Sequence, residues 1–231
     1  MQGDDFWKGG RRMEQNGITR VIMVRHGQSL GNAEGFFAGQ TDIPLTELGL
    51  KQAERTAEYL RERKIDRIYS STLQRSMQTA GPTANIHRLP ILPEEGLREI
   101  FAGQWEHLAY TEITERYPES RAVWKEHIGL ACPEGGESVA HVAERVRETV
   151  ERLVDENRGK CIALFTHALP IRSMGCFWQG IPIAEMERLP WAPNAAVTEA
   201  DYMPDGQVRL VCYGYNKHQH GIETEFPQGA V

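Results

Sequence analysis

The sequence predicts an α/β fold layered on a mainly parallel sheet, and three observations lead there. Strand-like apolar runs alternate with amphipathic helical stretches along most of the 231 residues, which is the pattern of helices packed on a sheet. Two of the runs, Val21–Val24 and Cys161–Phe165, read as buried strands that stop abruptly at polar tips, Arg25-His26-Gly27 and Thr166-His167. Open α/β sheets bind ligands at the carboxyl ends of their strands, so these tips are expected on a ligand-binding rim.

The elements follow in order. Thr19–Val24 is a strand rich in β-branched residues. Thr46 occupies a helix N-cap position, with Leu50, Ala53, Ala57 and Leu60 at helical spacing behind it. Ile65–Ser70 is a second strand, and Thr72–Ala84 a helix with Leu73, Met77, Ala80 and Ala84 on one side. Leu89–Leu92 is short and extended. Residues 109–128 are aromatic and less regular: Tyr110, Ile113 and Tyr117 suggest a short helix and Trp124 a further anchor, as an excursion above the sheet. Gly135-Gly136 turns the chain into a helix capped by Ser138, with Val139, Val142, Val146, Val150 and Leu153 as its apolar stripe. Cys161–Thr166 is a strand, Ile171–Trp178 a helix, and Ala195–Tyr202 with Gln207–Tyr213 a hairpin around Asp205-Gly206.

Bulk properties narrow the function. Apolar residues make up 40% and charged residues 25%, with a net charge of -6. That is globular, and too acidic for a diffuse nucleic-acid surface. Cys132, Cys161, Cys176 and Cys212 lack zinc spacing and are expected to be reduced. No apolar run is long enough to span a membrane, and the polar, Gly-rich start shows no secretory signal. We expect residues 1–17 to be a flexible leader, 18–231 a single domain, and the protein cytoplasmic.

The chemistry concentrates at the strand tips. His26 and His167 end two strands; Arg25 precedes the first, Arg75 opens the helix after Ser70-Ser71, and Glu99 closes another short extended piece. Two guanidinium forks suit a phosphate. They also disfavour imidazolium, leaving a neutral nucleophile, and a protonated carboxyl group can hand its proton to a leaving alkoxide. The pattern points to phosphoryl transfer.

The motifs Val24-Arg25-His26-Gly27-Gln28-Ser29 with Asn32, Gly39-Gln40-Thr41-Asp42 through Gly49, Ser70-Ser71-Thr72-Leu73-Gln74-Arg75, Leu97-Arg98-Glu99-Ile100, Pro133-Glu134-Gly135-Gly136-Glu137-Ser138 and Thr166-His167 occur in one order over roughly residues 19–200. In this the chain resembles the histidine phosphatase superfamily, in its phosphoglycerate-mutase-like branch. The resemblance implies a three-layer α/β/α sandwich around a mainly parallel sheet. It implies that His26 is the phosphorylated nucleophile and Glu99 the general acid and then base. Arg25, Arg75 and His167 would form the phosphate pocket, with Gly27, Asn32 and Ala168 at its edge and Gln40 and Thr41 as substrate contacts. No cofactor or metal is implied, and the partner is a small phosphomonoester. Two departures alter the pocket walls: Gly31 stands where the family often has tryptophan, and Ala168 where it commonly has glycine.

A phosphatase is favoured over a phosphoglycerate mutase. Arg116, Arg121 and Lys125 are balanced by Glu112, Glu115, Glu119 and Glu126, so no second cationic locus is evident for retaining a bisphosphate. A non-catalytic phosphate-binding module is the rival of a different class, but His26 and Glu99 are both present. His218-Gln219-His220 reads as a solvated tail rather than a metal site.

Overall fold

The computed structural model describes residues 17–225, so the expected leader lies outside the described residues except for Gly17. The chain runs β1 (Thr19–Arg25), α1 (Leu30–Glu34), α2 (Glu47–Leu60), β2 (Arg67–Ser70), α3 (Gln74–His87), β3 (Ile91–Pro93), α4 (Tyr110–Arg116), α5 (Pro118–Glu126), α6 (Val139–Glu156), β4 (Cys161–Thr166), α7 (Ala168–Gln179), β5 (Val197–Tyr202) and β6 (Val208–Tyr215), with short 3₁₀ turns between. The six strands form one sheet in the order β3-β2-β4-β1-β5-β6. β1 to β4 are parallel; β5 runs antiparallel to β1 and pairs with β6 as the predicted hairpin.

The continuous apolar runs have a direct cause. Successive side chains of a strand point to opposite faces, and here both faces are covered. Val21 and Met23 of β1 and Ile162 and Leu164 of β4 pack on one side with the α6 stripe. Ile22, Val24, Ala163 and Phe165 pack on the other side with Leu60, Ala80 and Ala84 of α2 and α3. Val139, Val142, Val146, Val150 and Leu153 of α6 are fully buried, each contributing roughly 1.5–3 kcal/mol by leaving water.

Three details differ from the sequence expectation. α7 starts at Ala168, directly after His167, because Pro170 falls in its first turn, where a missing N–H costs nothing. The excursion holds two helices, α4 and α5, whose Tyr110 and Trp124 pack edge-on against Phe37. His218 is not a solvated tail residue. Its ring stacks on Tyr59 at 4.6 Å and its Nε2 lies 3.2 Å from Thr56 Oγ1, while His220 is exposed and faces Glu223. Among the described residues no helix is long and apolar enough to cross a membrane.

Candidate active site

Strand register builds the site. Arg25 of β1 lies opposite Thr166 of β4, and the His26 N–H donates to the Thr166 carbonyl at 2.9 Å. The next residues, His26 and His167, therefore leave the sheet side by side, with ring centroids 5.1 Å apart and planes at 60°. On the other side of β4, the Ser71 N–H bonds the Phe165 carbonyl at 2.9 Å. This brings Ser71 Oγ to 2.8 Å from His167 Nε2. Three adjacent parallel strands thus end on one rim.

The tautomer of His26 follows from its partner. Nδ1 lies 2.7 Å from the Gly27 carbonyl. A carbonyl only accepts, so Nδ1 carries the proton and Nε2 keeps its lone pair. Burial, reinforced by the charges of Arg75 and Arg25, holds the His26 pKa well below the usual histidine range, and burial does the same for His167. Gly27 is required by close packing: a Cβ there would sit 2.5 Å from the Gly49 carbonyl oxygen. The Gly27 N–H donates to Thr79 Oγ1 at 3.0 Å.

The arginines are held by backbone oxygens. Arg25 Nη1 donates to the Ala192 carbonyl at 2.6 Å. Arg75 donates to the carbonyls of Gly39 and Thr41 at 2.7 and 2.9 Å. Carbonyls orient a guanidinium without neutralising it. Burial pushes Arg75 down to about 10, which leaves it charged at neutral pH. Arg75 Nε and His167 Nδ1 have no partner among the described residues.

Glu99 is half-buried in the same rim, with Oε1 accepting the Ile100 N–H at 3.1 Å and Oε2 the Leu169 N–H at 3.5 Å. Burial raises its pKa, outweighing the pull of Arg75 and Arg25. Its backbone carbonyl is gripped by Gln40 Nε2 at 3.0 Å and Arg145 Nη2 at 3.4 Å. Arg145 is in turn paired with Glu137 of the Pro-Glu-Gly-Gly-Glu-Ser motif.

Arg25, His26, Asn32, Arg75, Glu99 and Ala168 all face one cavity of about 610 Å³. His167, expected in the phosphate pocket, is fully buried beside His26 and does not line the cavity. Gln40 and Thr41 depart from the expectation of substrate contacts, since neither lines the cavity. Gln40 holds the Glu99 backbone, and Thr41 bonds Glu106 through its hydroxyl at 2.7 Å and Arg75 through its carbonyl. Their turn is spent on positioning the charged groups. Gly27 also lies outside the lining, because its backbone is taken up by Thr79, Asn194 and His26.

Other groups at the site carried no legible signal. Asn194 Nδ2 donates to the carbonyls of His26 and Gly27 at 3.0 and 3.2 Å and to Asn32 Oδ1 at 3.1 Å. It follows an unremarkable Ala-Pro pair, and only the fold returns it to the rim. The absence of a second cationic locus is overturned: Arg121, Lys125 and Arg172 line the same cavity. The four-residue spacing of Arg121 and Lys125 was the available clue, since it puts both on one helix face.

Comparison with known proteins agrees with this geometry. The profile of the histidine phosphatase superfamily (branch 1) matches residues 21–214. The chain is 33% identical over 168 residues to phosphoserine phosphatase 1 of Hydrogenobacter thermophilus, covering 73% of this chain and 80% of that protein. It is 35% identical over 159 residues to phosphoglycerate mutase-like protein 4 of Arabidopsis thaliana, covering 68% and 69%. Among solved structures, the native mycobacterial glucosyl-3-phosphoglycerate phosphatase superposes with a TM-score of 0.79 at 30% identity, covering 86% of this chain and all of that one. With its motifs in order and their side chains gathered on one strand rim, the chain belongs to the histidine phosphatase superfamily, branch 1.

Proposed function

We propose that the protein is a phosphoric monoester hydrolase acting on small substrates through a phosphohistidine on His26. The observation that carries this reading is the 2.7 Å bond from His26 Nδ1 to the Gly27 carbonyl, which directs a neutral Nε2 lone pair into a cavity walled by Arg25 and Arg75. A phosphate monoester bound between the two guanidiniums has its charge offset, so Nε2 can attack phosphorus. The N–P bond forms as the bond from phosphorus to the ester oxygen breaks. Glu99, whose proton affinity burial raises, gives a proton to the departing alkoxide. The resulting carboxylate takes a proton from water, whose oxygen displaces His26 from phosphorus. Phosphate leaves, and Glu99 is protonated again. Arg25 and Arg75 supply the positive charge that the transition state needs, so EDTA is expected to leave turnover intact.

Rapid quenching of wild-type protein with a ³²P-labelled monoester tests the intermediate. Acid-labile, base-stable label on His26 is expected, and label on a carboxylate or none at all overturns it. The cations Arg121, Lys125 and Arg172 favour one second reading, a phosphoglycerate mutase that retains a bisphosphate. Release of free phosphate from 3-phosphoglycerate with no isomer formed, with or without 2,3-bisphosphoglycerate, decides for the phosphatase.

A further inference from the structure

The cavity extends well past the phosphate-sized space between Arg25 and Arg75, and its chemistry changes on the way. Arg172, on the first turns of α7, lies four residues after Ala168, so both face the cavity. Its guanidinium lies over the Trp191 ring at 4.3 Å from the centroid, and Trp191 stacks on Trp124 at 6.4 Å. The residue is only 5% exposed. Its Nε has no hydrogen-bond partner among the described residues, and no described carboxylate forms an ion pair with it. The segment that carries Trp191 is tied to the catalytic rim: the next residue, Ala192, holds Arg25 through its carbonyl, and Asn194 holds His26.

A buried guanidinium with unspent donors is costly to leave without an anion. At the base of the sheet the partly buried Arg63 is given a carboxylate, Glu199. Arg172 is given an indole face and an open cavity instead. Glu187 faces the same cavity and supports the Arg172 charge from a distance. Glu223 also lines it, and Arg121 and Lys125 line the excursion side. One guanidinium with one carboxylate in its field suits a monoanion better than a second phosphate dianion. A planar fork suits a carboxylate in particular.

We infer that Arg172, backed by Trp191, is a second anion site that selects phosphomonoesters bearing a carboxylate on the alcohol portion, with the phosphate at His26 and the carboxylate at Arg172. This rests on the phosphatase reading for its kinetics but not for its binding.

The test uses pairs of substrates that differ by one carboxylate: O-phosphoserine against O-phosphoethanolamine, and 3-phosphoglycerate against glycerol 3-phosphate. Wild type is expected to prefer the carboxylate member of each pair at least tenfold in kcat/KM. Arg172→Gln should bring that ratio close to one, chiefly through KM for the carboxylate member, and Arg172→Lys should restore part of it. A wild-type ratio near one overturns the proposal, as does an Arg172→Gln ratio that stays high while both members fall together, the mark of a structural arginine. Calorimetric binding of 3-phosphoglycerate and glycerol 3-phosphate to the non-turning-over His26→Ala variant, with and without Arg172→Gln, separates the two readings. Tighter 3-phosphoglycerate binding that needs Arg172, in a protein whose wild type releases no phosphate, keeps the anion site and removes the phosphatase. Equal affinities remove the anion site whatever the turnover.

Discussion

Arg20 and Arg25 stand on the same strand, five residues apart, yet the two ends of β1 treat them in opposite ways. At the base, Arg20 donates to Asp201 at 2.7 and 3.0 Å, and Arg209 reaches the same carboxylate at 2.7 Å, while Arg63 pairs with Glu199 at 3.2 Å. The Asp201 bond raises the Arg20 pKa. At the rim, Arg25 and Arg75 donate to backbone carbonyls, and burial lowers the pKa of both. Charge at the base is neutralised within the protein. At the rim, backbone carbonyls orient Arg75 without neutralising it. Cations held by dipoles rather than by carboxylates are what a phosphate site requires, because a resident carboxylate would compete with the substrate.

The largest expected effect breaks the rim. His26→Ala removes the proposed nucleophile, and turnover of every monoester should fall to background; retained wild-type turnover would sink the phosphohistidine reading. Next, Glu99→Gln should cost roughly 10²–10⁴-fold on alkyl phosphates and much less on p-nitrophenyl phosphate, whose leaving group needs little protonation. Equal losses on both would remove Glu99 from the acid role.

The base should behave differently. Asp201→Asn leaves Arg20 and Arg209 without their shared carboxylate, but both are partly exposed, so we expect about 1–3 kcal/mol lost in denaturant unfolding. kcat on p-nitrophenyl phosphate should stay within about twofold, since a structural pair far from the rim adds independently of it. A large fall in kcat with unchanged stability would erase the distinction between the two ends.

Acidity sharpens the contrast further. In the proposed mechanism Glu99 acts in its protonated form, and its pKa is raised. The acid form is lost as pH climbs through that raised value, so kcat/KM should fall on the basic side. His26 is neutral down to well below 6.5, which keeps the nucleophile active into mildly acidic solution. Stability moves the other way. His218 is held neutral by burial, with its pKa lowered to about 4. Between that value and 6.5 the unfolded chain binds the proton and the folded chain does not, so stability is complete above 6.5 and drops as pH falls towards 4. The loss from this residue is about 2–3 kcal/mol. Thermal melts of wild type and His218→Gln at pH 7 and pH 4.5 measure it: the gap between pH values should narrow in the variant. Ligand stabilisation is an effect of similar size. Orthophosphate at about 100 times its Kd should add about 2.7 kcal/mol, and Arg75→Gln should abolish the shift.

Much of this was legible along the chain because it is local. The strand tips at His26 and His167, the Ser138 cap and the α6 stripe each follow from a few neighbouring residues. The Asp205-Gly206 hairpin likewise came from a short stretch, and the ordered motifs carried Arg25, Arg75 and Glu99. What was missed depends on chain return. Gln40 and Thr41 look like substrate contacts in a motif, but only the fold shows that they bond Glu99, Glu106 and Arg75 and lie outside the cavity lining. Arg121 and Lys125 look balanced by adjacent glutamates, yet a helix sends those glutamates to other faces. His218 sits in a polar stretch and is nonetheless stacked on Tyr59.

By itself the sequence marked out the candidate site: which strands end in histidine, which groups are cationic, and which carboxyl group lies beside them. These depend on residue identity and short-range periodicity. The tertiary structure decided how those groups are used. The β1–β4 register puts the imidazoles 5.1 Å apart, and burial sets which of them stay neutral. The return of residues 191–194 to the rim orients Arg25, His26 and Arg172. Distance and desolvation are properties of segments brought together from far apart in the chain, and no local stretch of sequence encodes them.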